Sequence, residues 1–233
     1  MIKTTLMLGS IGVVMETSDI QRRAYNQALQ EAGLNWVWTS EVYTELLNQS
    51  GGQERLAMLA AATSTDLSPQ QIEAIHSRKT ELACNELLRN KPALRPGVGE
   101  LIKWIQARGM RLAFVTTTYQ PNIDAIFRSA GDALLQTDFA YIGARGHVTR
   151  GKPSPEAYLN ALRHLHIEPH QALAIEDTAA SVMAAKRAGL QVVATPGQLS
   201  AGQDLWQADL VCGSLLGAEG HLNADVLALL SQQ

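Results

Sequence analysis

The stretch Leu6–Ser18, LMLGSIGVVMETS, reads as an apolar strand, a glycine-bearing turn and a polar run entering a helix. In an α/β protein the end of the first strand is where an acid, a phosphate loop or a nucleophile stands. Here the tip is Gly9, Ser10, Ile11, Gly12, without an ionisable side chain. The chain builds a reactive position and leaves it without a reactive group.

Downstream of Leu94 the apolar runs RLAFVTTT, ALAIED and LQVVATPG each follow a helix-like segment. That alternation predicts a parallel sheet with helices on both faces. GVGELIKWIQARG has helical spacing and stops on Gly109, TAASVMAAKRAG stops on Gly189, and SPEAYLNALRHL offers Ser154 as N-cap with Pro155 in the first helical position. Residues 18–92 differ. They carry helical patterns, SDIQRRAYNQALQEAG and SPQQIEAIHSRKTELACNELLRN, broken by SGGQER, and no convincing strand. The expected architecture is a Rossmann-like α/β core from residues 1–16 and 93–233, with residues 17–92 inserted as an all-helical cap and a cleft between the two.

The 233 residues include 19 basic and 22 acidic side chains, a formal charge of −3. This balance is not that of a nucleic-acid or membrane-surface binder and points to a small-molecule or protein partner. Cys84 and Cys212 lack metal-ligand spacing and suit a reducing compartment. No apolar stretch approaches the ~20 residues of a membrane helix, and the first residues do not read as a cleaved signal, so a cytoplasmic location is expected.

Four groups stand where ligands bind open parallel sheets: Thr116 after RLAFV, Lys152 in RGKPSPEAY, and Glu176 with Asp177 after ALAI. Singly, each has a plain structural reading. A threonine or an acid pair at a strand end caps the next helix, and a loop lysine is solvated. Trp36 and Trp38 read as core packing, and His164, His166 and His170 as surface or C-cap residues.

Taken in order and spacing, VTTT, GKPSPEAY and IEDTAASVMAAKRAG resemble the second, third and fourth motifs of the haloacid dehalogenase (HAD) superfamily of phosphatases and phosphomutases. The helical segments NWVWTSEVYTELLNQSGGQERL and HSRKTEL look like those of its CbbY-type sugar-bisphosphate phosphatases, which act on xylulose 1,5-bisphosphate. The resemblance implies phosphate ligands at Thr116 and Lys152 and magnesium-coordinating acids at Glu176 and Asp177. In the cap it implies a substrate loop at Gly51, Gly52 and Arg55 and a second basic residue at Lys79. The family's first motif, D-x-D-G-[TV]-L, aligned on Gly12, puts Gly9 at the nucleophilic aspartate and Ile11 at the acid/base aspartate. Gln21 stands where related mutases carry a histidine.

Neither Gly9 nor Ile11 can perform covalent phosphoryl transfer. Strand alternation turns Ser10 to the opposite face, and Glu16 lies beyond the turn. With first-motif carboxylates absent, magnesium is expected to bind weakly or not at all. Lys152 then faces Glu176 or Asp177 directly, as an ion pair or as part of a metal-free anion site. The leading expectation is a disabled phosphatase-like protein that binds a phosphorylated sugar or phosphate, as a sensor or as the regulatory partner of another protein. The alternatives are a slow hydrolase using water activated by Glu176, Asp177 or Glu16, and a protein-interaction module with a vestigial cleft.

Overall fold

The structure, a computed structural model, describes residues 3–231. Strand β1, Thr5–Leu8, is buried along its whole length, and the apolar run Leu6–Leu8 that follows Thr5 suits a central parallel strand. It pairs in parallel with β2 (Arg111–Phe114) on one side and β4 (Ala172–Glu176) on the other. With β3 (Phe139–Ile142), β5 (Gln191–Ala194) and β6 (Leu210–Val211) the sheet runs in the order β3-β2-β1-β4-β5-β6. The four strands read from the sequence are all present; β3 and β6 add to them. Leu8 lies beside Phe114 and Ile175, so the ends of β1, β2 and β4 stand abreast and present Gly9, Val115 and Glu176 at one edge.

Alternation along the strands divides the core. Leu6, Leu8, Leu112, Phe114, Leu173 and Ile175 face α5 (Val98–Gln106), α6 (Gln120–Ala130) and α9 (Ala224–Ser231). Met7, Ala113, Val115, Ala174 and Val192 face α7 (Glu156–Leu165) and α8 (Ala179–Arg187). Gly109 and Gly189 both take positive φ beyond their helices, as expected. Helix α7 begins one residue later than predicted: Pro155 is its N-cap, although Ser154 Oγ still accepts from Glu156 N. Among the described residues no helix is long and apolar enough to cross a membrane.

Residues 18–90 form only helices: α1 (Ser18–Glu31), α2 (Ser40–Leu46), α3 (Gly52–Ala62) and α4 (Pro69–Asn90). Helix α4 starts with Ser68 and Gln71 capping each other's backbone and with Pro69 in the first position. Its distal half contributes Ala83 and Leu87 to the core beside α1 and α6. A separate cluster joins Tyr25, Leu29, Trp38, Tyr43 and Leu56, with Tyr25 and Trp38 rings 4.3 Å apart. Trp36 packs on its edge, so both tryptophans serve packing. Leu199, from the loop after β5, is buried in this helical cluster. His164, His166 and His170 are exposed, and His166 is the left-handed C-cap of α7.

Candidate functional site

Above the ends of β1, β2 and β4 lies a cavity of about 130 Å³, walled on the other side by α1, α3 and α4. It brings together Thr116, Lys152, Glu176 and Asp177 from the sheet side with Gly51, Gly52, Arg55 and Lys79 from the helices. Its volume is well under the ~300–1,000 Å³ of ordinary small-molecule pockets.

Lys152 and Glu176 are both almost completely buried and form an ion pair. Lys152 Nζ also donates to Val115 O over 3.1 Å, and the Tyr158 hydroxyl donates to the same Glu176 Oε1. Of the two acids open to Lys152, its ion-pair partner is Glu176. Tyr158 lies within the third motif but had no role read from sequence. Burial, reinforced by the neighbouring carboxylate, pushes its phenol far above the ordinary range, so it stays a donor. Asp177 is buried too, and desolvation followed by the charge of Glu176 raises its carboxyl well above the usual value against the opposing pull of Lys152.

Gly9 does not line the cavity, because Glu176 covers it. A Cβ built on Gly9 would come within 2.9 Å of Glu176 Cδ and of Val13 Cγ2. Ile11 does reach the cavity and packs against the main core, an apolar group at the position of the second aspartate. Gly12 is in the left-handed region, with φ of 78°, and Asp177 stands over it. Arg95, which sequence reasoning missed, fastens this turn. Its guanidinium donates to Gly12 O, to Thr195 O at 2.6 Å and to Pro196 O at 3.0 Å, tying the first-motif turn to the end of β5.

Ser10 corrects the sequence reading. Strand alternation stops at Leu8, so Ser10 belongs to the turn and faces the cavity. Its Oγ lies 2.8 Å from Thr116 Oγ1 and 3.2 Å from Thr118 Oγ1, and Thr116 Oγ1 donates to Thr118 Oγ1 over 2.8 Å. Glu16 is engaged elsewhere, accepting from Ser18 N at 3.0 Å and Gln198 N at 2.8 Å.

The helical wall is basic. Lys79 Nζ sits 4.6 Å from the centre of the Tyr25 ring, and burial, then Arg55, pull it down to about 7. His76, one turn earlier, packs against the Tyr119 ring with centroids 4.7 Å apart and planes tilted by 49°; burial, then Lys79 and Arg55, hold it neutral with a value of about 3. The i, i+3 spacing of His76 and Lys79 on one helix face was the available signal for it. Gly52 is required by close approach, since any Cβ there would collide with the His76 ring and the Tyr25 hydroxyl. Arg55 is braced by donating from Nε to Gln49 O at 2.7 Å. Gln21 lines the cavity and donates to Asn122 Oδ1 at 3.3 Å, while its own Oε1 has no partner.

Magnesium needs several hard oxygen ligands in near-octahedral array. Here Glu176 is bound to Lys152 and Tyr158, Gly9 and Ile11 supply no carboxylate, and among the described residues no group of three or more histidine, cysteine or acidic side chains converges. The side chains as arranged do not fit the ion.

Sheet order, helical insertion and the alignment of three motifs around one cavity define the class: the chain belongs to the haloacid dehalogenase-like hydrolase family, whose model matches residues 5–189. Within it, the chain is CbbY-like. It is 36% identical over 217 residues to Protein CbbY of Cereibacter sphaeroides, covering 93% of this chain and 94% of that protein. A solved structure of CbbY from Rhodobacter sphaeroides in complex with phosphate matches with a TM-score of 0.86 at 36% identity, covering 94% of this chain and 99% of that one. A mutant of that CbbY in complex with xylulose-(1,5)bisphosphate matches with the same TM-score at 35% identity, covering 96% and 100%.

Proposed function

We propose that this protein binds a phosphorylated sugar or phosphate without turning it over by the covalent route of its family, and acts as a ligand-dependent regulatory protein. The observation that carries the proposal is the Gly9 site. It has no side chain, and the space one would enter is taken by the Glu176 carboxyl group. The nucleophile is missing and so is the room for it. Ile11 removes the proton donor as well.

Binding, by contrast, is supported from both walls. In this reading residues 17–92 form a cap over the core of residues 1–16 and 93–233. The cap offers Arg55 and Lys79, the core offers Thr116 and Lys152, and all four line one cavity. The solved CbbY complexes hold phosphate and xylulose bisphosphate, ligands of the same chemistry. Loss of first-motif carboxylates also removes repulsion against an oxyanion. The test joins two measurements on the full chain: phosphate release from a panel of sugar mono- and bisphosphates with and without magnesium, and thermal unfolding with the same compounds. The expected result is no release together with a melting temperature that climbs with ligand concentration. Magnesium-dependent release by the unaltered protein would overturn the proposal, as would a melting temperature that no phosphorylated compound shifts.

A further inference from the structure

We infer that Ser10 and Thr118 are anion ligands which, with Thr116, form a three-hydroxyl seat for a phosphoryl group that works without a metal ion. The inference rests on the phosphate-binding reading above and adds to it the residues and the ionic conditions of binding.

The three hydroxyls form a closed ring at the tips of β1 and β2, with Ser10 and Thr116 at 2.8 Å, Thr116 and Thr118 at 2.8 Å, and Ser10 and Thr118 at 3.2 Å. Each hydroxyl has one hydrogen and two lone pairs, so the ring satisfies itself when empty. Each hydrogen can also rotate, so the same three groups can turn together towards one tetrahedral oxyanion. That exchange is favourable, because a hydrogen bond to a charged acceptor is roughly twice as strong as one between neutral hydroxyls. The ring's position is held by backbone: Thr118 N donates to Thr116 Oγ1 at 3.0 Å, Val115 N to Leu8 O at 2.8 Å, and Gly9 N to Ile175 O at 3.0 Å.

Charge points the same way. Lys152 donates to Val115 O and Glu176, which leaves the third of its ammonium hydrogens for a ligand in the cavity it lines. In a site with two aspartates on the first turn, a divalent cation offsets carboxylate–phosphate repulsion. Here the turn carries Gly9, Ser10 and Ile11 and contributes no such repulsion; of the two carboxylates that do line the cavity, Glu176 is paired with Lys152 and burial favours the neutral form of Asp177. A neutral hydroxyl takes the place beside the anion, so binding should be indifferent to magnesium. The competing reading is a clasp that merely joins the two strand tips.

Calorimetric titration of the full chain with inorganic phosphate, in EDTA and then in magnesium, separates these readings. Wild type is expected to bind with the same affinity in both. Ser10→Ala and Thr118→Val should each weaken binding roughly tenfold or more, the usual effect of losing a hydrogen bond to a charged group. Thr118→Ser should restore it. Melting curves without ligand identify which variants are folded, and Thr118, only half-buried, is the substitution the fold tolerates best. Wild-type affinity in both hydroxyl-less variants would overturn the seat while leaving phosphate binding intact. Binding that appears only with magnesium would overturn metal independence. Failure of the wild type to bind inorganic phosphate or any sugar phosphate would overturn the binding reading itself, and the seat with it.

Discussion

Gly9 and Glu176 occupy one another's space: the carboxyl carbon of Glu176 lies 2.9 Å from where a Cβ of residue 9 would be. The two positions contend for one space. With no side chain at the tip of β1, the acid at the end of β4 leans across it and is held there by Lys152 and Tyr158. A carboxylate restored at residue 9 has to displace that acid first.

Gly9→Ala is therefore expected to destabilise the protein by about 1–3 kcal/mol through overpacking against Glu176 and Val13. Combined with Glu176→Ala, which by itself leaves Lys152 without its buried partner, the double variant should be less damaged than the sum of the two. Urea unfolding of the four proteins measures the coupling. Strict additivity would mean that the two positions do not contend for the same space.

Arg95 joins the first-motif turn to the end of β5 through three backbone carbonyls. Arg95→Lys keeps the charge but loses the planar fork that reaches all three. The expected cost is about 1–3 kcal/mol. Amide hydrogen exchange should quicken at Val13 and Val14 while the centre of β1 stays protected. Uniform loss of protection would show that the residue supports the whole fold and not the turn.

Leu199 links the loop after β5 to the helical cluster around Tyr25 and Trp38. Leu199→Ala is expected to cost about 2–4 kcal/mol, the usual range for a buried leucine. It should also make the 195–205 loop a preferred site of limited proteolysis. A cleavage pattern unchanged from wild type would show that Leu199 does not hold the loop.

The sheet was legible in sequence where strands are long and buried. The runs around Leu6, Leu112, Leu173 and Val192 are unbroken apolar segments, and all became strands. Phe139–Ile142 escaped because its other residues are only partly covered or exposed, and Leu210–Val211 because two residues carry no pattern. At the site, motif spacing placed Thr116, Lys152, Glu176 and Asp177 around one cavity, since the aligned strand ends fix their neighbours. Ser10 was misread because the two-residue period was carried past Leu8, where its strand ends, to a residue two positions beyond it. Arg95 and the hold of Glu176 over Gly9 depend on side chains far apart in the chain, which no local pattern encodes.

Lys79 makes the stability of the protein depend on pH. In the unfolded chain its ammonium titrates near 10.5; in the fold, burial and the Arg55 charge bring it to about 7. Tyr25 faces it from α1 only through its ring, and His76 on the same helix is neutral, so no carboxylate offsets the desolvation. Between the two values the unfolded state holds more protons, and stability must rise with pH across that window. Below about pH 7 both states are protonated and the cost of burying the charge is present in full. The rise is limited to about 1.4 kcal/mol per pH unit. Buried tyrosines and both cysteines, whose values are raised, work in the opposite direction at alkaline pH, so the quantity to compare is wild type minus Lys79→Met. That variant should be more stable than wild type at pH 7, and the difference should shrink steadily towards pH 9 in chemical unfolding experiments. A difference that stays constant over this range would show that Lys79 does not titrate there, and a variant less stable at pH 7 would show that the ammonium contributes more through the Tyr25 ring than burial takes away.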